Sequence, residues 1–231
     1  MISIIIPTFN EADQIITTIG QLNGKSGGNH FEIIVSDGGS TDNTVALAKH
    51  AGAIVVNSPR KGRAAQMNAG ASLAKGEVLY FLHADTIPPE GYLADIKEAV
   101  AMGYHAGCFM LSFDHLHWFL KANCWFTRFD VNAIRFGDQS LFVTKAAFEE
   151  AGGFSEEYVV LEDQELIKRL RKDVRFKVVK KPVVTSARKY LENGVYKTQG
   201  IFFIIYFLYV AGFSQGMLVR TYKRLITQNK I

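Results

Sequence analysis

Residues 31–50 read FEIIVSDGGSTDNTVALAKH: an Ile/Val run closing on an aspartate, two glycines, a cluster of short polar residues, then an apolar-spaced stretch. The run suits a buried strand over 31–36, and the glycines a tight turn; Ser40, Thr41 and Asp42 are candidate N-caps for a helix over 43–50. The same unit recurs outward from here. Before it, an apolar run at 2–6 precedes a helical pattern at 12–22; after it come 54–56 with 64–74, and 78–82 with 92–102, the last helix led by Pro88-Pro89. Strands of near-continuous Ile, Val and Leu are buried on both faces. The expectation is therefore an α/β fold with a mainly parallel sheet flanked by helices.

The chain has 231 residues, 48% hydrophobic and 21% charged, which excludes a disordered, collagen-like or long coiled-coil protein. No linker or repeat divides it, so we expect one domain over 1–231. Its parts are an alternating first half (1–104), an elaborated second half (105–190) and a C-terminal helical segment (191–231). After Gly107 the alternation gives way to the aromatic stretch HLHWFLKANCWFTRFD. A short strand at 140–144, helices at 145–151 and 163–172, and a strand at 176–179 follow.

Cys108 and Cys124 have neither CxxC nor zinc spacing, which points to a reducing, cytoplasmic compartment. The start MISIIIPTFNE lacks a basic leader and reads as a first strand, not a signal peptide. Charge is divided unevenly: residues 1–167 hold 11 basic and 20 acidic side chains, residues 168–231 hold 15 and 2. The basic end is either a solvated face or an attraction to phosphates or an anionic membrane surface. No recognition-helix, RRM or zinc-finger pattern supports a nucleic-acid partner.

Residues 198–219 carry no charge and six aromatics, between Lys197 and the trio Arg220, Lys223 and Arg224. Length would permit a membrane span, but Gly212 and Ser214 interrupt the run and predict two shorter helices. The first, 201–211, is apolar on every face and needs cover. Packing on the domain or in a homodimer comes first, peripheral contact at the inner face of the membrane next, a span last.

In an open parallel sheet, ligands bind beyond the carboxyl ends of the strands. Those ends supply Thr8, Asn10 and Glu11, then Asp37, then Ser58, Arg60, Lys61 and Arg63, then His83 and Asp85. Carboxylates and cations converging at one edge suit an anionic ligand carried with Mg²⁺ or Mn²⁺. Plain alternatives stand beside this: SDGGSTD also reads as a turn with an N-cap, and His83 as a structural histidine.

The ordered series IIIPTFNE, IVSDGGSTDNT, KGRAAQMNAG, LYFLHADT, FGDQSLFV, GGF and LEDQEL resembles the nucleotide-sugar-dependent family 2 glycosyltransferases of GT-A fold, over roughly residues 1–190. It looks most like a soluble bacterial branch carrying LHADT. The resemblance implies a nucleotide-sugar donor and a hydroxyl acceptor, lipid or saccharide. It implies that Pro7, Thr8, Glu11 and Asp37 line the nucleoside pocket, with Arg63 near the base or diphosphate. Asp85 would be the metal-binding aspartate. The usual signature has two aspartates around one residue; here the first is His83, a softer ligand that Mn²⁺ tolerates better than Mg²⁺.

By the same resemblance Asp138 and Gln139 belong to the acceptor side with Glu162 and Asp163. Asp163 would be the general base of an inverting transfer, and Arg188 would close over the diphosphate. Glu162 and Asp163 also read as acidic residues favoured in a first helical turn. Two other functions remain in view, a sugar nucleotidyltransferase and a non-catalytic nucleotide-binding or membrane-docking module. The first normally has a Gly- and Arg-bearing loop after its first strand, which PTFNEAD lacks. The absence of GxGxxG there disfavours a nicotinamide oxidoreductase.

Overall fold

A computed structural model describes residues 1–132, 135 and 137–227. Phe136 of FGDQSLFV and the last four residues of the C-terminal segment lie outside the described residues.

The first half follows the expected alternation: β1 (Ile2–Thr8), α1 (Ala12–Gly24), β2 (Phe31–Asp37), α2 (Thr44–His50), β3 (Ile54–Asn57), α3 (Arg63–Leu73), β4 (Val78–Phe81), β5 (Thr86–Ile87) and α4 (Tyr92–Ala101). The second half contains β6 (Ala106–Phe113), α5 (Trp118–Phe126), a short 3-10 turn (Gly137–Gln139), β7 (Leu141–Thr144), α6 (Lys145–Glu150), α7 (Glu162–Asp173) and β8 (Phe176–Thr185). It ends in α8 (Arg188–Asn193), α9 (Val195–Val210) and α10 (Gln215–Leu225).

The eight strands among the described residues join one sheet in the order β3-β2-β1-β4-β7-β6-β8-β5. The pairs among β1 to β4 are parallel, as is β6 with β8, whereas β7 runs antiparallel to both β4 and β6. The period-two geometry of a strand explains its unbroken hydrophobicity. Ile4 and Ile6 join one core with Ile15, Ile19 and Ile96, while Ile5 faces the other core with Met67, Phe81, Leu166 and Ile167.

β6 and the far end of β8 escaped the sequence reading for physical reasons. β6 hides behind Gly107, where glycine is a packing requirement: an added Cβ would lie 2.3 Å from the Phe142 ring and 2.4 Å from the Lys177 carbonyl. We expect Gly107→Ala to destabilise the fold by about 1–3 kcal/mol through overpacking. A denaturant melt within a few tenths of a kcal/mol of wild type would contradict this. β8 runs past its expected end at 179 to Thr185, because Lys180 and Lys181 bulge out of register between Phe109 and Met110. Pro182 sits at that irregularity, a position where a strand tolerates proline.

The C-terminal run divides where expected, α9 ending at Val210 and α10 starting after Ser214. No helix among the described residues is long and apolar enough to cross a membrane. Cover for α9 is one-sided: Ile201 and Ile205 are buried with Leu218 and Tyr222 of α10, but Phe203, Phe207 and Val210 stay exposed.

Candidate active site

A cavity of about 540 Å³ opens at the carboxyl edge of β1 and β4 and extends under α7, α8 and α9. The end of β1 contributes Pro7, Thr8 and Glu11, and the start of α3 contributes Arg63. The turn after β4 adds His83 and Asp85, the 3-10 turn Asp138, the first turn of α7 Glu162 and Asp163, and the start of α8 Arg188. Of the residues to which the family resemblance gives a role, all but two therefore line one space, whereas the strand-end residues Asn10, Ser58, Arg60 and Lys61 do not.

The two exceptions are Asp37 and Gln139. Asp37 is 2% exposed. Its oxygens accept from Thr8 Oγ1 at 3.1 Å, from the Gly39 and Ser40 amides at 2.9 and 2.8 Å, and from Ser40 Oγ at 2.5 Å. It organises the SDGGS turn and the floor beneath Thr8, with no face on the cavity. Gln139 turns inward, its Nε2 donating to the Phe109 carbonyl at 3.0 Å, and ties the 3-10 turn to β6. Arg60 and Lys61 also point elsewhere: Arg60 pairs with Glu156 at 3.0 Å at the surface, and Lys61 is exposed.

Backbone strain gathers around the same space. Among the described residues the non-glycine positions with positive φ are Asn10 (54°), Ser140 (54°) and Leu161 (64°). Each lies within three residues of a cavity-lining carboxylate, and such left-handed positions persist where surrounding structure holds a site in place.

Among the described residues two ion pairs link the halves of the molecule across the cavity. Arg63 Nε lies 2.7 Å from Glu162 Oε1, joining α3 to α7. Burial opposes the Arg63 charge, but Glu162, Asp163 and Asp138 outweigh it and raise its pKa. Glu162 is 1% exposed, and neither of its oxygens has a well-directed hydrogen bond. His83 Nδ1 lies 2.8 Å from Asp138 Oδ1. Burial would raise the Asp138 carboxyl, yet the hydrogen bond and charge of His83, with Lys189 and Arg63, hold it down at about 2. The same bond raises the His83 pKa against the effect of burial.

The two remaining carboxyls are pushed the other way. Burial and the Asp138 charge raise Asp85, with His83 and Arg188 pulling against them. Burial and the adjacent Glu162 raise Asp163 to about 6, within the range of a proton acceptor near neutrality. The two are thus in different electrostatic settings, one facing Asp138 and Arg188, the other at the N-terminus of α7.

The site also holds residues that sequence reasoning missed. Gln66 of α3 donates Nε2 to the Thr8 and Ser36 carbonyls at 2.6 and 3.1 Å, clamping the ends of β1 and β2 together. Its signal was a long amide on an otherwise small-residue helix face. Lys189, next to Arg188, acts electrostatically on Asp138. Tyr190, Phe202, Tyr206 and Tyr222 supply an aromatic part of the cavity lining. It comes from three helices, and no single motif encodes it.

A divalent cation fits this donor set. Among the described residues no three His, Cys, Asp or Glu side chains form a closed metal cage. Mg²⁺ and Mn²⁺ sites at phosphates commonly use only one or two protein ligands. Asp85, raised by burial and by a facing carboxylate, is the group a cation would relieve. With Nδ1 of His83 engaged by Asp138, Nε2 is the nitrogen left for a metal, and the carboxylate fixes the ring.

The chain matches the sequence profile of "Glycosyl transferase family 2" over residues 3–141. No curated protein sequence matches it. Among solved structures it is similar to S. aureus TarS 1–349 in complex with UDP, at 17% identity and a TM-score of 0.66, covering 80% of this chain and 60% of that one. It is also similar to the mannosyltransferase PcManGT from Pyrobaculum calidifontis in complex with GDP-Man and Mn²⁺, at 17% identity and 0.73, covering 96% and 69%. At that identity the likeness is one of fold, the curled, mostly parallel sheet with flanking helices. The chain spans about 60% of the TarS structure.

Proposed function

The chain belongs to glycosyl transferase family 2, and from that premise we propose that it is an inverting, nucleotide-sugar-dependent glycosyltransferase acting on a hydroxyl acceptor. The observation that carries this reading is the shared cavity. Arg63, Arg188 and Asp85 line it together, a set of charges that suits a diphosphate with its cation, and the raised carboxyl of Asp163 lines the same space.

Pro7, Thr8 and Glu11 would receive the nucleoside at the end of β1. Asp37 acts on it indirectly, by fixing Thr8 and the SDGGS turn. Arg63 and Arg188, both partly exposed, supply positive charge to the diphosphate through charge-assisted hydrogen bonds. Asp85 and His83, the latter oriented by Asp138, are the residues that would hold Mg²⁺ or Mn²⁺, whose chemistry is neutralising charge on the departing diphosphate. Gln139 supports the acceptor side only by anchoring the turn that carries Asp138.

Asp163 takes the proton from the acceptor hydroxyl. The freed oxygen attacks the anomeric carbon from the face opposite the nucleoside diphosphate, whose bond to that carbon breaks with the electron pair leaving on the phosphate oxygen. One displacement gives inversion. Glu162, paired with Arg63, holds the first turn of α7 in place and repels its neighbour's charge, keeping Asp163 basic enough to act.

Thermal stabilisation across UDP, GDP, CMP and dTDP, with and without Mn²⁺ or Mg²⁺, tests the reading. A ligand bound only by the folded chain at about 100 times its Kd adds about 2.7 kcal/mol of stability. We expect one nucleoside diphosphate to raise the melting temperature, and more so with the cation. A flat panel would overturn the proposal.

A further inference from the structure

Every exposed aromatic side chain of large size among the described residues belongs to one of two helices or the turn that follows it. Trp118, Trp125, Phe126 and Phe129 belong to α5 and its C-terminal turn, and Tyr196, Phe203, Phe207 and Phe213 to α9 and the turn after it. Trp118 and Phe207 are each 69% exposed, and Leu116, two residues before Trp118, is 97% exposed. The two helices are neighbours: Tyr196 meets Phe119 at 5.0 Å and Trp118 at 6.4 Å between ring centroids. They also flank the cavity, since Phe126 and Phe203 line it while remaining half exposed. An apolar surface of this kind at the mouth of a site calls for a partner.

The charge around it selects the partner. Helices α5, α9 and α10 carry Lys121, Lys197, Arg220, Lys223 and Arg224 and no Asp or Glu. All five side chains are exposed. A second copy of this chain docking face to face would bring like charges together, because a two-fold interface repeats the same patch on both sides. An anionic lipid surface does the reverse. Its headgroups attract the cations, and its interfacial zone accepts Trp, Tyr and Phe rings at the level where water gives way to hydrocarbon.

We propose that the α5–α9 face docks the protein on an anionic bilayer surface with the cavity mouth against the membrane. The hydroxyl acceptor is then an amphiphile presented from that surface, its polar end reaching Asp163 along the wall of Tyr190, Phe202, Tyr206 and Tyr222. The identity of the acceptor rests on the transferase reading; the docking does not. It is measured with no donor present, so failure of one is distinguishable from failure of the other.

The test is co-sedimentation of the 231-residue chain with phosphatidylcholine vesicles, with and without phosphatidylglycerol. We expect binding only with the anionic lipid, weakened as salt rises. The pair Trp118→Ser and Phe207→Ser, exposed and outside the cavity lining, should lose most of the bound fraction at an unchanged melting temperature. The pair Lys223→Glu and Arg224→Glu should weaken partitioning by about tenfold or more. Three results would overturn the docking surface: no binding to anionic vesicles, equal binding by both variants, or a stable dimer in light scattering that the aromatic pair converts to monomer.

Discussion

Asp163→Asn should keep nucleotide and metal binding yet lose transfer by roughly 10²-fold or more, the contribution of a positioned base. The substitution preserves size and hydrogen-bonding capacity while removing the lone pair that accepts the proton. Asp163 lies inside the first turn of α7, where its charge contributes only about 0.3–1 kcal/mol against the helix dipole, so a purely structural Asp163 would leave turnover near normal as Asn. The pH profile separates the roles further. With its carboxyl raised to about 6 by burial and Glu162, Asp163 is protonated and inert in acid, so transfer should rise with pH and level off above about 6. In the variant that limb should vanish. The same shift has a stability consequence of defined sign. A carboxyl raised in the folded state binds its proton more tightly there than in the unfolded chain, so its contribution declines as pH rises from the ordinary carboxylate value through about 6. Removing the charge should therefore leave the melting temperature at pH 8 no lower than wild type. A variant that melts early and turns over normally would move the base role to Asp138 or Glu162.

The parallel half of the fold was legible because each strand there is a short Ile/Val/Leu run ended by a turn signal, and each helix has its own start. The edge where Thr8, Arg63, His83 and Asp85 meet followed from topology, since parallel strands deliver their carboxyl ends to one side. Contacts decided by side-chain direction were harder to read. Asp37 occupies a strand end in the sequence, but its carboxylate turns back onto Gly39 and Ser40. The sequence set His83 among metal ligands and Asp138 among acceptor contacts; the fold joins them by one 2.8 Å bond. That bond spans more than fifty residues and two strands of opposite direction, which no local pattern encodes. β6 stayed hidden for a related reason, its Gly107 being demanded by the Phe142 ring of a strand that follows it. α5 carries Trp118, Trp125 and Phe126 on its exposed side, so its pattern lacks the polar face by which a surface helix is usually recognised.

Asp85→Ala should abolish the metal-dependent part of nucleoside diphosphate binding while leaving the metal-free part in place. Asp85 faces Asp138 in a partly buried setting, and its raised pKa reflects a charge without full compensation. Losing it costs the fold little and should not lower the melting temperature, so reduced binding cannot be assigned to unfolding. Titration of UDP or GDP, whichever stabilises the wild type, with Mn²⁺ and then with chelator gives the increment directly. In the wild type that increment comes from a cation held between protein and diphosphate. Even partners that only orient metal ligands are worth about 10–100-fold in affinity, so deleting a ligand should remove at least that much. Arg63 and Arg188 remain in the variant, and the chelator-treated affinities of the two proteins should agree. His83→Asn gives the second arm. It leaves a polar partner for Asp138 but no imidazole, and should narrow any preference for Mn²⁺ over Mg²⁺ by removing the softer donor. An Asp85→Ala protein that binds the Mn²⁺ nucleotide as tightly as wild type would take the cation away from this edge of the sheet, leaving Arg63 and Arg188 as the charges that meet the diphosphate.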